Sequence, residues 1–249
     1  MTAKKERLSW ERCEVLCTRV FNAIDWAALG DLYFNEDGEA EWEHRRDKLL
    51  EFGFEWARAL FRRVPEEGGS LYVGAGVAEL PVMIAEACLR GRKVRATNLR
   101  VRECEILGDA LRRHQLRGLV EIEAVDAGTI AAEASYDHLG CVSLFTDPQT
   151  WPHLSDVTYG RVAPVQIDVG QFEREREEAR VLARSLFDGM TLPGWITTTV
   201  EEVSWFLELA SQRGVDVAAD EDLLPTAVVG DPIGFLHCES SGTRSESGS

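Results

Sequence analysis

The sequence predicts a doubly wound α/β fold, with a mostly parallel sheet, helices on both faces and a helical N-terminal extension. Three observations predict it. Ser70-Leu-Tyr-Val73 reads as a buried strand that runs into Gly74-Ala75-Gly76 and then into an apolar-periodic segment from Glu79 to Leu89. Further strand-like runs return at the spacing that helix-length crossovers require, and such crossovers force parallel pairing with right-handed connections. The first 69 residues, by contrast, show helical periodicity and no strand-like run.

The strand, glycine turn and helix bring backbone close to a bound small molecule where a sheet meets a helix N-terminus, and a nucleotide-type cofactor is the usual occupant. The same turn also joins strands to helices with no ligand. Lys93-Val-Arg-Ala-Thr-Asn98 reads as the second strand, and Val101 to Gln115 as a helix carrying Val101, Ile106, Leu107, Ala110 and Leu111. Val120-Glu-Ile-Glu-Ala-Val125 alternates like a strand and ends at Asp126-Ala127-Gly128. Tyr136-Asp137 introduces His138 to Phe145, an apolar run suited to a strand covered on both faces. Ligands of such sheets sit beyond the carboxyl ends of the strands. The glycine turn, Asn98 and Asp126 all fall at predicted strand ends, and they are expected to converge.

From about Ser70 to Glu239 the chain resembles the class I S-adenosylmethionine-dependent methyltransferases, whose fold is Rossmann-like. The resemblance rests on the glycine turn, Asn98, Val125-Asp126-Ala127 and Tyr136-Asp137. It also rests on Leu186 to Gly194, similar to the family's helix end and Pro-Gly turn, ahead of a fifth strand at Trp195 to Val200. A helix over Glu201 to Arg213, and late apolar pieces around Val215–Ala218 and Ile233–Cys238, suit its closing hairpin. The resemblance implies a seven-stranded sheet, S-adenosyl-L-methionine as cofactor, and methyl transfer to a small-molecule or protein acceptor. It implies cofactor contacts from Gly74, Ala75, Gly76, Glu79, Asn98, Leu99, Asp126, Ala127 and Phe145. Tyr72 and Asn98 stand where the family usually carries acids, the second of them on the ribose, so a catalytically inactive methyltransferase-like binding domain is the alternative. A dinucleotide fingerprint fits less well, because Glu79 is too large for its third glycine position.

Catalysis would need mainly alignment, plus deprotonation where the acceptor requires it. The acceptor pocket is expected at Thr146-Asp147-Pro148-Gln-Thr-Trp151-Pro-His153, with His153 and Asp147 as candidate catalytic groups. Asp147 before a proline equally suits a helix cap, and Pro152-His153 equally suits an exposed loop.

The remaining sequence divides into a helical segment 1–69, a candidate lid, and a tail 240–249 whose polarity predicts disorder. Leu8 to Leu29 and Trp42 to Arg63 form two amphipathic stretches, and four of the seven tryptophans lie in this segment, where packing is their default role. The six cysteines show no CxxC pair and the five histidines no HxxxH or HxH spacing, so buried thiols are expected and no metal site. The absence of an apolar leader or of about 18 consecutive apolar residues predicts a soluble cytoplasmic protein that does not engage membranes. Net charge is −16, and residues 147–249 hold 18 acidic against 7 basic side chains, which argues against non-specific nucleic-acid binding. Arg90, Arg92, Lys93 and Arg95 read as a solvated helix end, and Glu173 to Glu178 as a solvated helix face.

Overall fold

Asp25 divides the first amphipathic stretch. In the computed structural model, which describes residues 7–34, 37–133, 135–226 and 230–241, its carboxylate accepts the Ala28 N–H at 3.1 Å. The stretch expected as one helix is therefore two, α1 (Trp10–Asn22) and α2 (Trp26–Tyr33). The second stretch is likewise divided into α3 (Gly38–Glu43) and α4 (Arg46–Phe61). α1 buries Cys13, Cys17, Val20 and Phe21, one helical stripe, and both cysteines are free buried thiols as expected. The aromatics contact one another: Phe21 against Trp26 at 5.7 Å, Trp26 against Trp42 at 5.9 Å, and Trp42 against Tyr33 at 5.5 Å.

The chain forms two compact units, Met1–Asp126 with Leu224–Gly230, and Ala127–Leu223 with Asp231–Ser249. In the first, the four helices accompany β1 (Gly69–Val73), α5 (Leu80–Ala85), β2 (Lys93–Thr97), α6 (Val101–Arg113) and β3 (Val120–Glu123). β1 pairs with β2 and β2 with β3, both parallel, with Val73 opposite Thr97 and Thr97 opposite Glu123. Asn98 thus lies just past its strand, and the third strand stops short of Val125. α5 carries Pro81 in its first turn, where the missing N–H costs nothing. It closes in a wide π turn, Glu86–Arg90, ended by Gly91 at φ +70°.

The π turn overturns the expected solvated helix end at Arg92, while Lys93 is exposed as expected. Arg92 and Glu86 are both fully buried and pair at 2.8 Å. Arg92 also donates to the carbonyls of Pro65, Glu67 and Gly69 at 2.8–2.9 Å, and Glu86 accepts from the hydroxyls of Ser70 and Tyr72. Tyr72, at the position where an acid was expected, is thus a buried structural residue. Val101, read as apolar helix face, is exposed, while Ile106, Leu107, Ala110 and Leu111 are buried.

The second unit holds α7 (Ala127–Glu133), β4 (Tyr136–Cys141), α8 (Pro152–Thr158), α9 (Val169–Asp188), β5 (Met190–Thr199), α10 (Val203–Arg213) and β6 (Val215–Ala219). After β7 (Leu224–Pro225), a two-residue strand of the first unit, it closes with β8 (Pro232–Ser240). β4 and β5 are parallel; β8 runs antiparallel between β5 and β6, the expected hairpin. The fourth strand ends four residues before Phe145, because Ser143 takes φ +54° and turns the chain out of the sheet. The fifth begins earlier than expected. Tyr136 faces Met190 and His138 faces Trp195, so residues 191–194, Pro193 and Gly194 among them, bulge inside the strand and are not a turn ahead of it. Ser240 ends β8; the rest of the expected tail beyond Ser241 lies outside the described residues. No helix among the described residues is long and apolar enough to cross a membrane.

Candidate functional site

The glycine turn is tied down at both ends. Gly74 takes φ +69°, the Ala75 N–H donates to the Thr97 carbonyl at 3.0 Å, and the Gly76 N–H donates to the Glu79 carboxylate at 2.8 Å. A Cβ on Gly76 would lie 2.7 Å from Glu103 Oε1 and 3.6 Å from the Tyr33 hydroxyl. A side chain at this position would therefore have to displace a carboxylate of the protein's own.

Glu103 projects from α6 and is 0% exposed. The Tyr33 hydroxyl sits 2.8 and 2.7 Å from its two oxygens. Arg100 donates to that hydroxyl at 2.8 Å and stands 3.6 Å from the carboxylate. The Asn98 amide donates to Glu103 at 3.1 Å and to the Ala75 carbonyl at 2.9 Å, while its oxygen accepts the Arg100 N–H at 2.9 Å. Burial raises the Glu103 pKa, and the bonds from Tyr33, Arg100 and Asn98 offset part of the rise. Burial pushes Glu79 up to about 7; the Gly76 N–H opposes this and the Glu103 charge adds to it. Tyr33 is raised by burial and then by Glu103. Two desolvated carboxylates thus flank the turn, with Arg100 as the nearest cation described.

Gly74, Ala75, Gly76, Glu79 and Asn98 come together as the sequence suggested. Leu99 follows them with its side chain 62% exposed. Asp126 stands three residues beyond β3, exposed, at the end of the first unit. Ala127 and Phe145 belong to the second unit. Ala127 opens α7 and is buried, and Phe145 is buried with its ring stacked on Trp205 at 5.0 Å.

In that unit the loop after β4 hangs on Glu202. Its Oε1 accepts the N–H groups of Phe145 and Thr146 at 2.6 and 3.1 Å, and its Oε2 accepts the Thr198 hydroxyl at 3.1 Å. Burial pushes Glu202 up to about 7 against these donors. Asp147 spends its carboxylate on the N–H groups of Gln149 and Thr150 and on the Thr150 hydroxyl, so it caps a turn and not a helix. His153 lies in the first turn of α8, half-buried, and not in a loop; its N–H donates to Glu175 at 2.9 Å. Glu175 is therefore a helix cap within the stretch read as a solvated face.

Tyr33, Arg100, Glu103 and Glu202 were missed from the sequence. A signal for Glu103 was present. It shares the helical stripe of Leu107, Ala110 and Leu111, where a charge is buried and demands partners.

No protein-family model and no curated protein matches the chain. The topology decides the fold. The first unit has a glycine turn after β1 and three parallel strands in the order β3-β2-β1, and the second has β4-β5-β8-β6 with β8 reversed; each is a strand arrangement of a Rossmann-like methyltransferase. The fold is that of the class I methyltransferases. A solved structure titled as a possible exported protein of Bordetella parapertussis is similar in fold, with TM-score 0.50, 11% identity, and 97% of this chain and 100% of that one covered. A precorrin-6y C5,15-methyltransferase of Geobacter metallireducens aligns at TM-score 0.44 and 12% identity over 97% of this chain and 93% of its own. The precorrin 8w decarboxylase of Methanobacterium thermoautotrophicum aligns at 0.45 and 14%, covering 74% and 89%.

Proposed function

We propose that the protein is an S-adenosyl-L-methionine-dependent methyltransferase acting on a small-molecule or protein acceptor. The observation that carries this reading is the Gly76 turn flanked by the half-buried carboxylate of Glu79 and the buried carboxylate of Glu103. The residues present fit the cofactor by charge. Its methionine part carries an ammonium and a sulfonium, and a desolvated carboxylate gains from a nearby cation. Glu79 and Glu103 would hold the ammonium, Arg100 the carboxylate, and the backbone of Gly74 to Gly76 would line the approach. The cofactor supplies an electrophilic methyl group. The protein's own task is to align the acceptor and accept its proton.

In this reading residues 1–69 serve as a cover, since α2 brings Tyr33 onto Glu103 beside the turn. The segment from Thr146 to His153, whose turn Asp147 holds, remains the proposed acceptor segment, with His153 as the group proposed for proton transfer.

One observation favours the non-catalytic alternative. Asn98 spends its amide nitrogen and oxygen within the protein, so it is not a free acceptor for a ribose. Calorimetric titration with S-adenosylmethionine and its demethylated product separates the two. The methyltransferase reading expects both to bind, and Glu103→Gln to weaken both, since the two share the ammonium that Glu103 would hold. No binding of either by the folded protein would establish the alternative.

A further inference from the structure

The second unit carries a concentration of unmet hydrogen-bonding groups that the glycine turn does not use. β4 and β5 run parallel with Cys141 opposite Thr198, so the chain leaves both strands at the same end of the pair. Glu202 ties the two exits together through Phe145 and Thr146. Among these residues Ser143 Oγ, Trp151 Nε1, Thr199 Oγ1 and Glu201 Oε2 are buried with no hydrogen-bond partner. Thr199 is 0% and Trp151 7% exposed. A buried polar atom without a partner is costly, and an ionised oxygen is the costliest kind.

The surroundings state what is missing. Tyr159, just after α8, donates its hydroxyl to Asp231, and its acidity is weakened by burial and by the charges of Asp231 and Glu201. Glu201 and Asp231 therefore share one neighbourhood with Tyr159. The cation described beside them is Arg161, which stacks over the Tyr159 ring at 4.6 Å and donates to Ser155 at 3.3 Å. It leaves Glu201 Oε2 unmet. The group absent from this cluster is a cation that also donates hydrogen bonds.

We propose that the exits of β4 and β5 bind a protonated amine, whose ammonium docks on Glu201 Oε2 with the Thr199 hydroxyl as a further partner. Trp151, whose indole N–H is likewise unmet, reports the arrival of the amine. An aliphatic ammonium offers three donors and one charge, which matches a buried carboxylate beside hydroxyls. The amine's role as methyl acceptor rests on the methyltransferase reading; its binding does not.

The test is made without cofactor, so its failure is separate from failure of the cofactor titration. Indole N–H resonances of ¹⁵N-labelled protein are followed by NMR during titration with ethylammonium chloride, with Trp151 assigned by Trp151→Phe. Ethanol and potassium chloride serve as the neutral and ionic-strength controls. We expect a saturable shift of the Trp151 signal with ethylammonium and none with either control. Glu201→Gln should weaken the interaction by about 30-fold or more. Thr199→Val, the second variant should Glu201→Gln not fold, should raise the melting temperature of the free protein while weakening ethylammonium binding. The proposal is overturned by a shift that potassium chloride reproduces, by the absence of saturation, or by an affinity that neither substitution changes.

Discussion

Asn98→Asp tests whether the amide at the end of β2 serves a ligand or the fold. The family's ribose contact would make a carboxylate at this position an improvement, with binding tightened several-fold and stability unchanged. The structure gives the opposite expectation. The substitution removes the donors to Ala75 and Glu103 and places an oxygen near two others, at separations of 2.9 and 3.1 Å. Each lost hydrogen bond is worth about 1 kcal/mol. Two ionised carboxylates at that separation repel by about 5 kcal/mol at an effective dielectric constant near 20. Protonating one of them at pH 7 is the cheaper escape, at about 1.4 kcal/mol per unit above its ordinary pKa. Burial has already raised Glu103, so the proton settles there at reduced cost. The net expectation is a loss of roughly 2–4 kcal/mol at pH 7, partly recovered at pH 5 where the shared proton is freely supplied. Urea unfolding followed by circular dichroism at both pH values measures it. A variant within about 0.5 kcal/mol of wild type at pH 7 would refute the assignment of Asn98 to the turn.

Gly76→Ala should lower stability by about 1–3 kcal/mol, because its Cβ meets Glu103 Oε1 at 2.7 Å; an unchanged thermal transition would mean that the carboxylate moves aside freely. Glu79 and Glu202 are carboxyl groups raised to about 7, so the native state holds protons that the unfolded chain releases. Stability should therefore rise as pH falls from above 7 towards 4.5, by at most about 1.4 kcal/mol per unit for each group. Glu202→Gln keeps an oxygen for Phe145 and Thr146 and can donate to Thr198, so it should fold and remove the share of that slope due to Glu202; a slope left intact in denaturation series across this range would mean that Glu202 does not hold the proton. Arg92→Met leaves Glu86 buried without its cation and should cost about 3–5 kcal/mol in urea unfolding, and a near-neutral result would mean that Glu86 is protonated in the native protein.

The strands and the glycine turn were legible because their signals are local: short apolar runs, glycine punctuation and crossovers of helical length. What stayed hidden depends on residues distant in sequence or on irregular backbone. Arg92 sits in a basic run that reads as solvated, and only the π turn ahead of it places its side chain against Glu86 and three carbonyls. Asn98 resembles a ribose ligand by position, yet its partners are Ala75, Arg100 and Glu103. Glu202 follows another glutamate and a run of threonines, a pattern that resembles a helix start on the surface. Its burial follows from Phe145 and Thr146, more than 50 residues earlier. Pro193-Gly194 suggested a turn, since neither residue favours a strand interior; a bulge accommodates both.

The contacting aromatics of the first unit give the molecule a built-in optical gauge. Trp42 stands edge-on to Tyr33 at 5.5 Å and beside Trp26 at 5.9 Å, and the Tyr33 hydroxyl is fastened to Glu103 beside the glycine turn. Any occupant that displaces this hydroxyl must swing the phenol ring, and with it the environment of the neighbouring indole. The emission of Trp42, isolated by comparison with Trp42→Phe, thus reads the state of the turn from inside the protein, with no dye attached and no knowledge of what has bound.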